Sequence, residues 1–233
     1  MSTSSGYGQF CPVAMAAEIL CTRWTLVIVR ELMMGATRFN DLRRGAPRVS
    51  PALLSQRLKE LETAGVVSRT PVPGQAGLFE YRLTTAGEEL RPIVEAIGMW
   101  GHRWVESELS LSRLDAQLLM WDMRRRLDPE PLPSRRVVIH FRFPEQPQKH
   151  RAWWMLVTPQ DGADLCSVDP GFDVDLYVTS DLRTLTAIWM GLDTVRAARA
   201  ADRLTAVGDR QLAADMERWL GLSSFAGVER LAS

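Results

Sequence analysis

The chain has 233 residues, of which 46% are hydrophobic and 24% charged, and its 28 basic and 28 acidic residues give a formal net charge of zero. These values are typical of globular proteins and exclude a largely disordered chain. No apolar run approaches the roughly 20 residues that cross a bilayer, and residues 1–10 lack the features of a signal peptide. We therefore expect a soluble, cytoplasmic protein with no membrane partner, and its three cysteines, an odd number, fit a reducing compartment.

The first 46 residues predict three helices. Residues 12–20 indicate the first, and residues 22–35 indicate the second, with apolar side chains at helical spacing and Gly35 at the end. The stretch 38–46 predicts a short third helix, in which Phe39 and Leu42 are three residues apart.

Residues 48–65, RVSPALLSQRLKELETAG, predict a fourth helix with two different faces. Ser50 is a favourable N-cap, and Pro51 stands at the first helical position, where its missing N–H costs nothing. The apolar stripe that would be buried consists of Leu54, Leu58 and Leu61. The opposite face carries Ala52, Ser55, Gln56, Lys59 and Thr63.

A hairpin and a further helix follow Gly65. Two β-prone runs, VVSRTPV and LFEYRLT, flank PGQAG and predict a hairpin with a flexible tip. Thr85 is then expected to cap a long helical segment that runs to residue 109, in which Pro92 produces a kink or resets the start. A short helix, a turn, a helix with a polar outer face and a hairpin together describe a winged helix-turn-helix.

The second half of the chain predicts an α+β domain. A helix over residues 114–128 and a Pro-rich break over 129–134 precede four strand-like runs, and three helical segments then follow. Strands followed by segregated helices are typical of α+β domains. The predicted organisation is a winged helix-turn-helix domain over residues 1–110, a linker helix over 111–128 and a C-terminal domain over 129–233.

The zero net charge conceals an asymmetry along the chain. Residues 22–82 contain ten basic and five acidic residues, and the rest of the chain carries the balancing deficit. This distribution indicates a basic module joined to an acidic one.

The first half resembles the HxlR-type family of bacterial winged-helix regulators. The resemblance covers residues 11–104 and rests on Cys11-Pro12, RWTLVIVRELMMGATRFNDLRR, VSPALLSQRLKELETAGVVSR and EYRLTTAGEEL, in the family's order and spacing. It implies a cytoplasmic, nucleoid-associated regulator that binds double-stranded DNA as a homodimer, with dimer contacts around residues 12–20 and 88–105. Two departures are that Cys21-Thr22-Arg23 replace the family's glycines and lysine, and that the wing tip, residues 74–77, has no basic side chain to contact phosphate.

The second half is similar to sterol-carrier-protein-2-like domains. The similarity lies in VDLYVTSDLRTLTAIWMGLDTVRAARAADRLTAVGD, a strand and helix followed by a Gly208-Asp209 turn before the last helix. It implies a sheet with helices around an apolar tunnel, and therefore a small apolar ligand. The candidates for the tunnel wall are Trp153, Trp154, Met155, Trp189, Met190 and Trp219, although the same residues would also suit an ordinary core.

Two groups of residues are candidates for DNA contact. Those for phosphate surround the turn and the fourth helix: Arg38, Arg43, Arg44, Arg48 and Arg57. The alternative for them is a solvated surface with ion pairs, for example to Asp41 or Glu60. Those for base readout are Pro51, Ala52, Ser55, Gln56 and Lys59, because Gln pairs with adenine, Lys with guanine and small apolar groups with the thymine methyl.

Cys11 is a candidate redox centre. It immediately precedes the first helix, and a helix N-terminus lowers the pKa of a thiol. The HxlR resemblance implies that some relatives sense oxidants at this position. The alternative is that Cys11 and Cys21 are small buried hydrophobes.

We expect no metal, no cofactor and no enzymatic activity. His102, His140 and His150 show no metal-ligand spacing, and there is no phosphate-binding glycine loop, nucleophile elbow or triad. The sequence favours a dimeric DNA-binding regulator modulated by an apolar ligand. The alternatives are a lipid carrier that uses the winged module for dimerisation and a regulator switched by oxidation of Cys11.

Overall fold

The structure, a computed structural model, describes residues 6–106, Leu111 and residues 114–232. The chain divides into two compact units, Met1–Gly98 and Met99–Ser233.

The first unit has the element order of a winged helix-turn-helix. Its elements are α1 (Pro12–Leu20), α2 (Thr25–Met33), α3 (Phe39–Gly45), α4 (Pro51–Thr63), β1 (Val67–Pro71), β2 (Phe79–Leu83), α5 (Thr85–Glu88) and the first part of α6 (Arg91–Trp104). The two strands pair antiparallel, with Val67 opposite Leu83 and Pro71 opposite Phe79. The helices and the hairpin that the sequence predicted are confirmed.

The helix ends follow the capping residues. The Ser50 hydroxyl accepts a hydrogen bond from the Leu53 N–H at 3.2 Å, and Pro51 is the first residue of α4. The cap of α5 is Thr84 and not Thr85 as predicted, because the Thr84 hydroxyl accepts from the Gly87 N–H at 3.2 Å.

The long segment around Pro92 is two helices. The new helix α6 begins at Arg91, so the proline resets the start, as one of the two predicted outcomes. The predicted extension to residue 109 and the start of the predicted linker fall partly on residues 107–110 and 112–113, which lie outside the described residues.

The core of the first unit joins the helices to the hairpin. Its fully buried side chains include Ile28, Val29, Leu42, Leu54 and Leu58.

The segment before α3 attaches to the hairpin. The Tyr81 N–H donates to the Thr37 carbonyl at 2.9 Å, and Arg38 forms an isolated antiparallel bridge with Glu80. The helix-turn-helix and the wing are therefore joined by backbone hydrogen bonding, in addition to their shared core.

The second unit is a five-stranded sheet with helices packed on it. Its elements after α6 are α7 (Ala116–Arg126), β3 (Val137–Arg142), β4 (Ala152–Thr158), β5 (Gly162–Cys166), β6 (Leu176–Ser180), α8 (Leu182–Trp189), α9 (Val195–Ala200), β7 (Leu204–Gly208), α10 (Arg210–Ala214) and α11 (Met216–Trp219). The strand order is β5-β4-β3-β6-β7. The pair β3–β6 is parallel, whereas β3–β4, β4–β5 and β6–β7 are antiparallel.

Two features of this unit differ from the sequence prediction. Strand β7 follows two of the helices, so strands and helices are not segregated along the chain. Only Leu204 of this strand is fully buried, so the sequence lacks the alternation of apolar and polar residues that would indicate a strand. The predicted last helix is two short helices, which meet at Asp215.

The core of the second unit lies between one face of the sheet and the helices. It contains Phe141, Met155, Leu176 and Trp219 together with Ala116, Leu119, Met120 and Met123 of α7. The segment predicted as a linker helix thus contributes a row of side chains to this core.

Within the described ranges, no single helix is long and apolar enough to cross a membrane, although α1 and α2, bent by 81°, reach that length and composition as a pair.

Candidate nucleic-acid interface

Helix α4 presents an exposed polar face to solvent. The apolar stripe belongs to the core, since Leu54, Leu58 and Leu61 are at most 1% exposed. The five candidates for base readout are all exposed: Pro51, Ala52, Ser55, Gln56 and Lys59. Burial of one face holds the helix and leaves the other free for contact.

A hydrogen-bond network crosses this exposed face. The Gln56 side-chain amide donates to the Glu60 carboxylate at 2.9 Å, and the Arg57 guanidinium pairs with the same carboxylate. Partial burial acts to raise the pKa of Glu60, but hydrogen bonds from Arg57 and Gln56 and the charge of Arg57 outweigh it and hold the pKa below its usual value.

Arg57 also fixes α4 to the turn before α2. Its Nε donates to the Arg23 carbonyl at 3.1 Å, and its side chain is only 16% exposed. The next residue, Trp24, has a φ of 80°, a left-handed conformation that costs a non-glycine residue about 1–3 kcal/mol. The Arg57 contact thus helps to hold a strained turn, and this guanidinium is already engaged within the protein.

The other four arginines differ in how they are paired. Arg44 is 2.7 Å from Asp41, and Arg38 is 3.3 Å from Glu80. Arg43 and Arg48 are exposed and form no ion pair within the part of the chain that the structure describes. The surface ion pairs considered as an alternative therefore apply to Arg38, Arg44 and Arg57 but not to Arg43 and Arg48.

A cleft that sequence reasoning missed lies between α3, α4 and the hairpin. It has a volume of about 650 Å³, and Arg38, Asn40, Ser55, Arg69, Gln75 and Tyr81 are among its lining residues. We call it the wing cleft. The alternation of side chains along the two strands could have indicated this cleft. Arg69 and Tyr81 are opposite each other in the β1–β2 register and so lie on the same face of the hairpin.

Cys11 and Cys21 are both exposed, so the alternative that they are small buried hydrophobes is wrong for both. Cys11 precedes α1, and the backbone N–H groups of Ala14 and Val13 in the first turn of that helix lower the pKa of its thiol below the usual 9.0. Burial and the neighbouring Asp164 act the other way on the half-buried Cys166, whose pKa is raised.

The six apolar-ligand candidates do not line one common cavity. Trp153 and Met155 face the core, whereas Trp154 lies between them in β4 and stacks on His140 on the opposite face, with ring centroids 4.4 Å apart. Trp219 is fully buried, and its Nε1 donates to the Leu212 carbonyl at 2.8 Å. Trp189 is the last residue of α8 and Met190 follows it, and both side chains are half-buried.

No group of three or more His, Cys, Asp or Glu side chains among residues 6–106, 111 and 114–232 is placed to hold a metal ion.

No side chain of α1 or α6 is fully buried. In α6, exposed apolar residues recur at spacings of four and three: Ile93, Ile97, Trp100 and Trp104. In α1, the exposed apolar residues are Val13, Met15 and Ile19. Such stripes are typical of helices that pack against another surface.

Comparison with known proteins identifies the first part of the chain. Residues 19–109 match the family model described as the HxlR-like helix-turn-helix. The HTH-type transcriptional regulator YvaP of Bacillus subtilis is 39% identical over 99 residues, which are 42% of this chain and 92% of YvaP. The regulator sll1512 of Synechocystis is 34% identical over 101 residues, which are 43% of this chain and 75% of that protein.

Among solved structures, the redox regulator HypR in its reduced form is 34% identical, with a TM-score of 0.37, over 39% of this chain and 90% of that chain. The relatives are transcriptional regulators, and the match with YvaP extends over nearly its whole length. The chain therefore belongs to the HxlR-like helix-turn-helix family.

Proposed function

We propose that this protein binds double-stranded operator DNA sequence-specifically, as a homodimer, and thereby regulates transcription on the bacterial nucleoid in the cytoplasm. The observation that carries the proposal is the division of α4 into a buried leucine stripe and an exposed face of small and polar side chains. A helix of this kind fits the major groove of B-DNA, where Gln, Lys and small apolar groups contact base edges.

The arginines beside α4 supply the phosphate contacts. Arg43 and Arg48 are the principal ligands, since both are exposed and unpaired within the described residues. The phosphate contacts of Arg38, Arg44 and Arg57 are weaker, because each of these guanidinium groups already pairs with an acidic side chain. Phosphate contacts supply salt-dependent affinity, and base readout falls to the five residues on α4.

Binding assays on operator and unrelated duplexes test this assignment. Genome-wide mapping of bound sites supplies the operator, and fluorescence anisotropy measures affinity at several salt concentrations. We expect Gln56→Ala to relax base preference at one position and Arg43→Gln to weaken all duplexes equally, with the salt slope reduced by about one. Lys149→Gln, an exposed charge change in the second unit, is the control. Uniform weakening by Gln56→Ala would show that the wrong face of α4 has been assigned.

The dimer is supported by the unburied apolar stripes of α1 and α6. Two copies that bury these stripes would present two α4 helices to successive major grooves of a palindrome. Native mass spectrometry of Trp100→Asp, in which a 63% exposed tryptophan becomes charged, should show a shift towards monomer. Val207→Asp, at a 65% exposed apolar site on β7, should leave the dimer intact.

The proposed domains are residues 1–110 and 129–233, joined by the segment 111–128, whose helix α7 packs on the core of the second unit. The C-terminal domain is proposed to bind a small apolar ligand. The support is the sterol-carrier-protein-2-like sequence pattern and the apolar layer between sheet and helices. A ligand there would have to displace packed side chains such as Trp153 or Met155, and it would regulate only by binding the DNA-competent and incompetent states with different affinity. Native mass spectrometry for co-purified lipid, with operator titrations in its presence, tests this point.

The lipid-carrier alternative makes the opposite prediction. If the winged unit served only for dimerisation, DNA binding would be weak with a shallow salt slope, while apolar ligands would bind tightly.

A redox switch at Cys11 is a second candidate function, favoured by the exposed thiol and its lowered pKa. Hydrogen peroxide should then change operator affinity in the wild-type protein and leave Cys11→Ser unaffected. An undiminished response in Cys11→Ser would exclude this residue as the sensor.

A further inference from the structure

Arg230 lies at the end of α6, although 125 residues separate it from Val105 in the sequence. Its guanidinium donates from Nη1 to the His102 carbonyl at 2.9 Å and from Nη2 to the Val105 carbonyl at 2.7 Å. The planar fork of an arginine allows one side chain to bind two carbonyl groups at once. The contact also places a positive charge at the C-terminal end of the helix, where the macrodipole is negative.

Two backbone donors join Arg230 at the same turn. The N–H groups of Leu231 and Ala232 donate to the Arg103 carbonyl at 2.9 and 3.0 Å. The last four carbonyl groups of a helix have no partner within it, so they need donors from elsewhere. Residues 230–232 supply such donors, and we call these three residues the helix clamp.

The segment before the helix clamp is fixed to the second unit. The Ser223 N–H donates to the Trp189 carbonyl at the end of α8, at 2.8 Å. Ala226 lies so close to Gly191 that a Cβ on this glycine would be 2.6 Å from the Ala226 carbonyl oxygen. The buried face of α8 packs in the core of the second unit. The helix clamp is therefore connected to that core through only a few residues.

Helix α6 belongs to both units of the chain. The first unit ends at Gly98, so the last turns of α6, from Met99, are part of the second unit. Trp100 and Trp104, which are 63% and 50% exposed, lie in these turns. They belong to the apolar stripe on which the proposed dimer rests. The helix clamp thus binds the backbone of a turn whose side chains would contact the second copy.

We propose that the helix clamp keeps the last turn of α6 helical and thereby sets the strength of the dimer. The inference rests on the proposed dimer and operator binding, and it adds a role for the second unit. Without the helix clamp the turn frays, and Trp104 loses the fixed position from which it packs on the second copy. Residues 230–232 lie outside the family match, whereas the carbonyl groups that they bind lie within it. The second unit therefore controls DNA binding through the helix that joins the two copies.

Arg230→Ala in the full chain tests the helix clamp. We expect the dissociation constant of the dimer, from sedimentation velocity over a dilution series, to rise about tenfold, since each copy loses two hydrogen bonds from a charged donor. Hydrogen exchange of residues 99–105, followed by mass spectrometry, should become faster, while exchange in β3 keeps its wild-type rate. At concentrations at which the variant is fully dimeric, operator affinity should equal that of the wild type, because α4 is unchanged.

Two further variants serve as controls. Arg196→Ala removes an exposed arginine of α9 from the same unit and should change neither the dissociation constant nor the exchange of α6. Arg230→Lys keeps the positive charge but lacks the fork that reaches both carbonyl groups, so most of the loss should remain. Wild-type behaviour of Arg230→Lys would contradict the role of the two hydrogen bonds.

Several results would overturn the inference. An unchanged dissociation constant in Arg230→Ala, with or without faster exchange in α6, would reject the link to the dimer while leaving the proposed function standing. An equal rise in Arg196→Ala would assign the effect to charge, and faster exchange throughout β3 would assign it to the fold of the second unit. A wild-type protein that stays monomeric at every concentration would instead reject the dimer of the proposed function.

Discussion

The Gln56 side-chain amide donates a hydrogen bond to the Glu60 carboxylate at 2.9 Å, one turn along the exposed face of α4. Because Arg57 holds the same carboxylate, the amide of Gln56 has a fixed orientation. One amide hydrogen is used internally, which leaves the carbonyl oxygen and the second hydrogen to face outward. An acceptor beside a donor is the arrangement that reads adenine in the major groove.

Replacement of Glu60 should therefore reduce specificity. We expect Glu60→Ala to strengthen binding to unrelated DNA, since a negative charge is lost and Arg57 is released. We also expect preference at the base pair read by Gln56 to fall by about tenfold. Competition between operators that differ at single base pairs measures both effects. Glu62→Ala removes an exposed charge from the same helix and should leave base preference unchanged; a similar loss of preference in it would assign the effect to charge alone.

Substitution of Gly45 should destabilise the first unit. A Cβ at this position would lie 1.7 Å from Oε2 of Glu31, whose side chain is fully buried and therefore unable to move into solvent. We expect Gly45→Ala to lower the free energy of unfolding by about 1–3 kcal/mol, measured by urea denaturation. Gly101→Ala, within α6 and with no atom near the added carbon, should be neutral or stabilising by up to about 1 kcal/mol. Equal stability of the two variants would contradict the packing described around Glu31.

The cysteines should react in a defined order. A lowered pKa gives Cys11 a larger thiolate fraction at any pH below 9.0, whereas the raised pKa of Cys166 gives it a smaller one. We expect iodoacetamide to modify Cys11 well before Cys166 near neutral pH, with the pH midpoint of the Cys11 rate displaced to lower values. Mass spectrometry of the labelled peptides follows each site separately. Simultaneous labelling of the two residues at pH 7 would be inconsistent with their surroundings.

His140 should make the second unit less stable in acid. Burial and the charge of Arg142 lower its pKa below the usual 6.5, against the opposing effect of Asp169. The unfolded chain therefore takes up the proton first, so stability is complete above pH 6.5 and declines as the pH falls through the folded-state value. Urea unfolding at pH 8 and pH 5 should show a smaller pH dependence in His140→Phe, which keeps a ring against Trp154. The same dependence in variant and wild type would rule out His140 as its source.

The winged unit could be predicted from the sequence almost element by element, because its determinants are local. The Ser50 cap, the leucine spacing in α4 and the glycine-rich hairpin tip are each readable from a few consecutive residues. The partners of the side chains were not readable in this way. The contacts of Arg57 with the Arg23 carbonyl and of Arg38 with Glu80 join positions 34 and 42 residues apart, and they decide which arginines remain unpaired.

The second unit was predicted less completely. The sequence indicated the strands that contain several buried apolar residues, as in β3 and β4, but not β7, in which only Leu204 is fully buried. The ligand candidates were chosen by residue type, and strand alternation then placed Trp153 and Trp154 on opposite faces. Residue type alone contains no information about the face of a sheet.

The attachment of Thr37 and Arg38 to β2 has a mechanical consequence. The hydrogen bond from Tyr81 to Thr37 and the bridge at Arg38 join the segment before α3 to the hairpin. The wing can therefore move relative to α3 only if these contacts break. If the proposed dimer binds operator DNA, α3, α4 and the hairpin of each copy therefore move as one unit. In that dimer, a signal that releases the operator would change the distance or angle between these two units and would not move the wing within either of them. The surfaces between the two copies are therefore where an inducer site should be sought.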